Sequence, residues 1–179
     1  MSADTSAAER DFPFWSFSVA LYGRPGVAPA CLALQDRFGC DVNLLLLALW
    51  AARCGRELGR QDFERLDAAV APWRARVLEP IRAVRRQIKA DPIGATPELA
   101  EACRQALLEA ELAGERAAQE LLARSLPLDL PQQDSGDGGR ARANLEAYLT
   151  WRGVVESHTA RALVNDILSG FQHVCHLTY

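Results

Sequence analysis

The sequence predicts an all-α, single-domain bundle of about six to eight helices around one buried central helix, at about Val42–Glu57. Three observations carry this reading. Apolar residues recur at steps of three and four along most of the chain, and alternating β-branched runs are absent. The run Leu44–Ala52 is apolar on every side, and a helix without a polar face must be enclosed by others. Cap and turn residues, finally, divide the chain into lengths that suit helices.

The elements follow in order. Asp11 can cap a first helix whose apolar residues include Phe14, Phe17 and Leu21, and Gly23–Gly26 ends it in a turn. A second helix starts near Pro29 and stops at Gly39, where a left-handed residue closes helices at little cost. Asp41 or Asn43 then caps the buried helix, which runs to about Glu57 and ends at Gly59. A shorter helix spans Gln61 to Val70, and Pro72 opens a longer one to about Ala90. The stripe Trp73, Val77, Ile81, Val84 and Ile88 marks the packed side of that helix, and Pro80 predicts a kink in it. Thr96-Pro97-Glu98 is a start signal made of a hydroxyl cap, a first-turn proline and an acid at the positive end of the dipole. The helix it opens should reach about Arg124, with Leu99, Cys103, Ala106, Ala110, Ala117 and Leu121 along one apolar side.

On this basis residues 1–11 are a flexible start, 12–125 a helical core and 126–139 a flexible loop rich in Gly, Pro and Asp. Two helices, about Arg140–Gly153 and Val155–Ser169, should pack on the same core, and 170–179 form a tail.

Composition narrows the function classes. Of 179 residues 49% are hydrophobic and 24% charged, the balance of a globular chain with one core. The net charge of -3 recruits neither nucleic acid nor an anionic membrane by itself. It is unevenly placed: residues 1–90 hold 13 basic and 10 acidic side chains, a balance of +3, whereas 91–179 hold 7 and 13, a balance of -6. The two halves could pair within one molecule or between two. The start lacks a secretory pattern, the run Leu44–Ala52 is too short to span a bilayer, and five cysteines lack a framework spacing. These features point to a reduced, cytoplasmic protein.

Two constellations are candidates for function. Tyr22, Gln35, Asp36, Asn43 and Trp50 could gather at the entrance of the buried helix, where amides and carboxylates are costly unless hydrogen-bonded. They read either as caps that lock the helical hairpin or as a small ligand pocket. General acid–base work by Asp36 lacks a second titratable group beside it. The other constellation is the basic face Arg82, Arg85, Arg86 and Lys89, at i, i+3, i+4 and i+7. It reads as a solvated face or as a docking surface for an acidic helix of this molecule or a partner. Aromatics are not interleaved with it, which speaks against nucleic acid. The spacing of His158, His173, Cys175 and His176 matches no standard metal site, and neither metal nor cofactor is expected.

Phe14-Trp15-Ser16-Phe17, Leu21-Tyr22, Cys31-Leu32-x-Leu34-Gln35, Asp41-Val42-Asn43-x-Leu45-Leu46 and Leu49-Trp50 form a distinctive series. With Pro80-Ile81-Arg82-x-x-Arg85-Arg86 and Asn144-Leu145-x-x-Tyr148-Leu149, the series resembles a family of small proteobacterial proteins of unknown function, over most of residues 12–152. The resemblance implies a bacterial cytoplasmic protein and carries over no catalytic residue. The leading expectation is a non-enzymatic interaction or regulatory protein with a protein partner of acidic character, compatible with homo-oligomerisation and with no role for nucleic acid or membrane. The alternative is a small-molecule-binding protein with a pocket near Tyr22, Gln35, Asn43 and Trp50.

Overall fold

The computed structural model describes residues 12–129, 138–154, 157–175 and 177. Its helices are α1 Pro13–Tyr22, α2 Val27–Phe38, α3 Val42–Arg53, α4 Arg60–Trp73, α5 Glu79–Ala90, α6 Pro97–Ser125, α7 Gly138–Trp151 and α8 His158–Val174. A π-helical turn, Arg74–Leu78, joins α4 to α5, and the described residues contain no strand. The fold is an all-α bundle in one domain.

Helix α3 is the centre. Every residue from Asn43 to Arg53 is buried, and α1, α2, α4, α6 and α7 all touch the helix. Burying each of its five leucines contributes about 1.5–3 kcal/mol, so this helix organises the core rather than lining it. Phe17 joins α1 to α3 and α8, its ring 5.3 Å from Trp50 and 6.2 Å from Phe171. On the far side Phe63 packs 5.3 Å from Tyr148 and 6.1 Å from Trp151. Helices α7 and α8 contribute Leu145, Tyr148, Ile167 and Phe171 to the same core as the first six.

The C-terminal end of α3 is held by a buried amide. Asn144 of α7 accepts from the Leu58 N–H at 2.9 Å and donates to the carbonyls of Ala48 and Arg56 at 2.9 and 3.0 Å. One side chain thus satisfies backbone groups that the apolar surroundings could not.

Several boundaries differ from the sequence reading. Helix α3 stops at Arg53, because Gly55 takes the left-handed conformation (φ 77°) and the Arg56 N–H closes back on the Ala51 carbonyl at 2.8 Å. The stop therefore comes before Gly59, which instead precedes α4. No break occurs at Pro72, since residues 60–90 run on as helix with the π turn lying between Pro72 and Pro80. Each proline removes a backbone donor, and the widened turn takes up the mismatch. Helix α8 continues through Gly170 to Val174, past the expected end at Ser169. Asp11 and most of the 126–139 loop lie outside the described residues.

The largest correction concerns α6. Leu99, Cys103, Ala106 and Ala110 are exposed, whereas Ala100, Gly114, Ala118, Gln119 and Leu122 are its buried residues. From Glu79 to Ala113 only Ala100 is buried, so neither face of this stretch meets the core, and Arg82 and Arg85 pair with Glu111 and Glu115 across α5 and α6. Gly114 permits the close crossing, with its carbonyl accepting from Trp73 Nε1 at 2.9 Å.

Helix α8 meets the start of α2 at Gly170, where an added Cβ would lie 2.3 Å from Val27 Cγ2 and 3.3 Å from Arg24 Cβ. Gly170→Ala should therefore lower stability by about 1–3 kcal/mol, although alanine is the better helix former. Thermal unfolding checks this, and the double variant with Val27→Ala should lose less than the two single losses combined. A melting temperature at or above wild type for Gly170→Ala would contradict so close an approach.

Candidate functional site

The site is built outward from the turn that admits α3. Asp41 caps the helix, its carboxylate accepting from the N–H groups of Asn43 at 2.8 Å and Leu44 at 3.3 Å. The other carboxylate oxygen takes Arg74 Nη1 at 2.6 Å, and Arg74 Nη2 reaches Asp67 at 2.8 Å. Burial works against the Arg74 charge, yet the hydrogen bonds to Asp41 and Asp67 more than offset it and raise its pKa. The Asp41 N–H donates to Tyr148 Oη at 2.7 Å, and Arg152 holds the Gly39 carbonyl at 2.8 Å. The turn is thereby tied to α4 and α7.

Because Asp41 does the capping, the Asn43 side chain is released toward α6. There it enters a row of polar groups. Arg85 Nε donates to Glu111 at 2.6 Å, and Arg82 Nε donates to the other oxygen of the same carboxylate at 3.1 Å. Arg82 also pairs with Glu115, whose second oxygen accepts from Asn43 Nδ2. Gln119 Nε2 then donates to Asn43 Oδ1 at 3.1 Å. The direction of this row follows from chemistry. A carboxylate only accepts, so Asn43 must offer its nitrogen to Glu115 and its oxygen to Gln119. Gln119 in turn uses its nitrogen, and its Oε1 is left buried without a partner among the described residues. Burial raises the Glu115 pKa above its ordinary 4.5, with Arg82 and Asn43 pulling the other way.

Over this row lies a cleft of about 640 Å³ between α1, α2, α3, α5 and α6. Its floor contains the buried side chains of Ser18, Asn43, Leu46 and Gln119. Trp15, Val19, Leu32 and Leu112 form apolar walls, while Arg82, Arg85, Arg86, Glu111 and Glu115 add the charged side. Ser18 Oγ is buried and, like Gln119 Oε1, has no hydrogen-bond partner among the described residues. The Tyr22 phenol is raised in pKa by burial first and by Cys31 and Glu115 next, so it stays protonated at neutral pH. No histidine or cysteine is among the lining residues. Such a cleft can hold a molecule by van der Waals contact and directed hydrogen bonds. A smaller hollow of about 280 Å³ adjoins it around Asp41, Arg74 and Tyr148, sharing Gln35, Val42, Asn43 and Arg82 as lining.

Of the residues singled out from the sequence, Tyr22, Gln35, Asn43, Arg82, Arg85 and Arg86 meet at this one cleft. Two constellations that the sequence kept apart are therefore neighbours. Asp36 is exposed on α2 and Lys89 on α5, and neither lines it. Trp50 is buried against Phe14 and Phe17 instead. Sequence reasoning missed Ser18, Glu111, Glu115 and Gln119. Glu111, Glu115 and Gln119 do leave a signal, since steps of four place them on one helical stripe opposite the arginines.

Other groups are less suited to chemistry. Burial pushes the Cys31 thiol up to about 12 and that of Cys40 up to about 11. The described residues hold no group of three or more metal-ligating side chains, and His176 lies outside them. Among the described residues no single helix is long and apolar enough to cross a membrane.

The polar row gives two expected outcomes. Asn43→Leu should cost about 1–3 kcal/mol, because Gln119 loses its partner and stays buried. For a chain of this size that is a fall of about 2–4 °C per kcal/mol in a thermal melt. An unchanged melt would mean that the row adds nothing to stability. Glu115 adds a pH dependence of definite sign. Its folded pKa lies above 4.5, so its contribution is fully present below that pH and is lost as pH rises through the raised value. The melting temperature of wild type minus that of Glu115→Gln should therefore fall as pH rises from about 4.5, and a difference that grows with pH would refute this.

A protein family described as a protein of unknown function (DUF2390) matches residues 13–122, which runs from α1 through most of α6 and includes every residue that lines the cleft. No curated protein and no solved structure matches the chain.

Proposed function

This chain belongs to the DUF2390 family, and we propose that it binds a small, largely apolar organic molecule in the cleft above the Glu115–Asn43–Gln119 row. One observation carries the reading: an apolar-walled cleft of about 640 Å³ has two buried polar atoms in its floor residues, Ser18 Oγ and Gln119 Oε1, that the chain itself leaves unsatisfied. The volume lies in the usual range for small-molecule sites, and such sites combine apolar walls with a few directed polar groups. Unpaired buried groups cost stability and are kept where function uses them.

The charges agree with a neutral or anionic ligand. The lining has three arginines and two glutamates, three minus two or +1, and Arg86 makes no ion pair among the described residues. All five cysteines are free, which supports a reducing compartment such as the bacterial cytoplasm.

A titration with 1-anilinonaphthalene-8-sulfonate, an apolar anion, tests the reading on the folded protein. Saturable binding with one site is expected. Val19→Trp should weaken it at least tenfold at unchanged melting temperature, because Val19 is 55% exposed on the wall and an indole there fills the cleft. Absence of saturable binding by this anion and by neutral aromatic probes would overturn the proposal.

A protein-interaction role is favoured by a different observation. From Glu79 to Ala113 only Ala100 is buried, and Val84, Ile93, Leu99, Leu108 and Leu112 lie exposed on the α5–α6 hairpin. Affinity purification from the native cell separates the readings: a stoichiometric protein partner supports interaction, and a co-purifying metabolite without a partner supports the cleft.

A further inference from the structure

Resting on the ligand-binding reading of the cleft, we infer that its ligand carries an N–H or O–H donor on an apolar body, and that Glu115 sets this requirement through two hydrogen bonds. Gln119 Oε1 is an acceptor only, and it sits in a residue that is 2% exposed on the cleft floor. Oε1 itself is covered in the empty cleft; a ligand donor that draws the amide toward the cleft completes the row, whereas a ligand that brings no donor leaves it unpaired. Ser18 Oγ does not discriminate, since a hydroxyl can give or accept.

The polarity has a single origin. Arg82 can only donate, so one Glu115 oxygen faces it, and the other oxygen accepts from Asn43 Nδ2. Asn43 then presents Oδ1 to Gln119, which answers with Nε2 and leaves Oε1 over. Glu115→Gln reverses the sequence of donors. The new amide must keep its oxygen toward Arg82 and so turns its nitrogen to Asn43. Asn43 rotates to accept with Oδ1 and donates to Gln119 Oε1, and Gln119 Nε2 becomes the unpaired group. The cleft then seeks an acceptor. Glu115 is in this sense a positioning residue, because it fixes which atom of Gln119 meets the ligand. A purely structural role would change affinity for all ligands alike.

Carbazole and dibenzofuran test the inference, since they share one shape and differ by a ring N–H against a ring oxygen. Their displacement of 1-anilinonaphthalene-8-sulfonate is measured at pH 8 for wild type and variants alike. Wild type should bind carbazole about tenfold or more tightly than dibenzofuran, which corresponds to one satisfied hydrogen bond of about 1.4 kcal/mol. In Glu115→Gln that ratio should fall to one or below, with dibenzofuran bound no more weakly than by wild type. Gln119→Met, which keeps length and removes the amide, should bring the ratio to about one. Should either variant fail to fold, the wild-type ratio still decides, joined by Ser18→Ala, which should preserve it. Equal affinities in wild type overturn the donor requirement and leave the cleft as a binding site. Displacement by neither compound, together with no binding of the anion, overturns the reading of the cleft itself. A ratio unchanged in Glu115→Gln overturns the role given to Glu115.

Discussion

Enclosure of α3 sets the terms for the rest of the molecule. A helix with no polar face excludes water along its length, so its ends and its polar side chains must find partners in neighbouring helices. At the C-terminal end Asn144 alone answers three backbone groups. At the N-terminal end the answer is divided among Asp41, Tyr148, Arg74 and Arg152, which draw α4 and α7 to the same turn. The chain that follows the family match is thus part of the same constraint, since Asn144 and Tyr148 both lie on α7, beyond residue 122.

Asn43 is a buried polar side chain of α3 that takes no part in capping it, and the site grows from it. Its amide cannot stay unpaired inside the bundle, so α6 has to present polar groups where a helix would ordinarily present apolar ones. That demand is met on α6 by Glu115 and by Gln119, which is buried there. It explains the fate of the basic face on α5: Arg82 and Arg85 neutralise the carboxylates that Asn43 and its neighbours bring inward. Burial of such ion pairs gives less stability than apolar packing would, and their retention makes sense where they fix an arrangement. Here the arrangement is the floor of a cleft.

The π turn at Arg74–Leu78 connects these two parts. It allows one long helical run to face α3 through Arg74 and to face α6 through Leu78 and Arg82, despite a proline on either side. A regular helix would present side chains at a fixed angular step, and the extra residue per turn changes that step locally.

By itself the sequence determined the fold class, the buried helix and most of its punctuation, because these depend on local periodicity and on cap chemistry. Leu44–Ala52 without a polar face, Gly39 after α2, Asp41 before α3 and Thr96-Pro97 before α6 each act within a few residues of themselves. Tyr22, Gln35 and Asn43 were also legible as polar or amphipathic residues at an apolar entrance. What the tertiary structure decided was which face of each helix turned inward. The spacing of Leu99, Cys103, Ala106 and Ala110 suggested a core stripe, yet from Glu79 to Ala113 only Ala100 is buried, and the inward contacts of α6 pass to Gly114, Ala118, Gln119 and Leu122. Periodicity cannot show that choice, since both faces of α6 repeat at three and four and only the neighbour distinguishes them. The same holds for Gly114 and Gly170, whose missing Cβ leaves room for Leu78 and Val27 to approach. The meeting of the polar entrance with the basic face is of this kind too, for it joins residues 29 to 76 positions apart through the crossing of α3, α5 and α6.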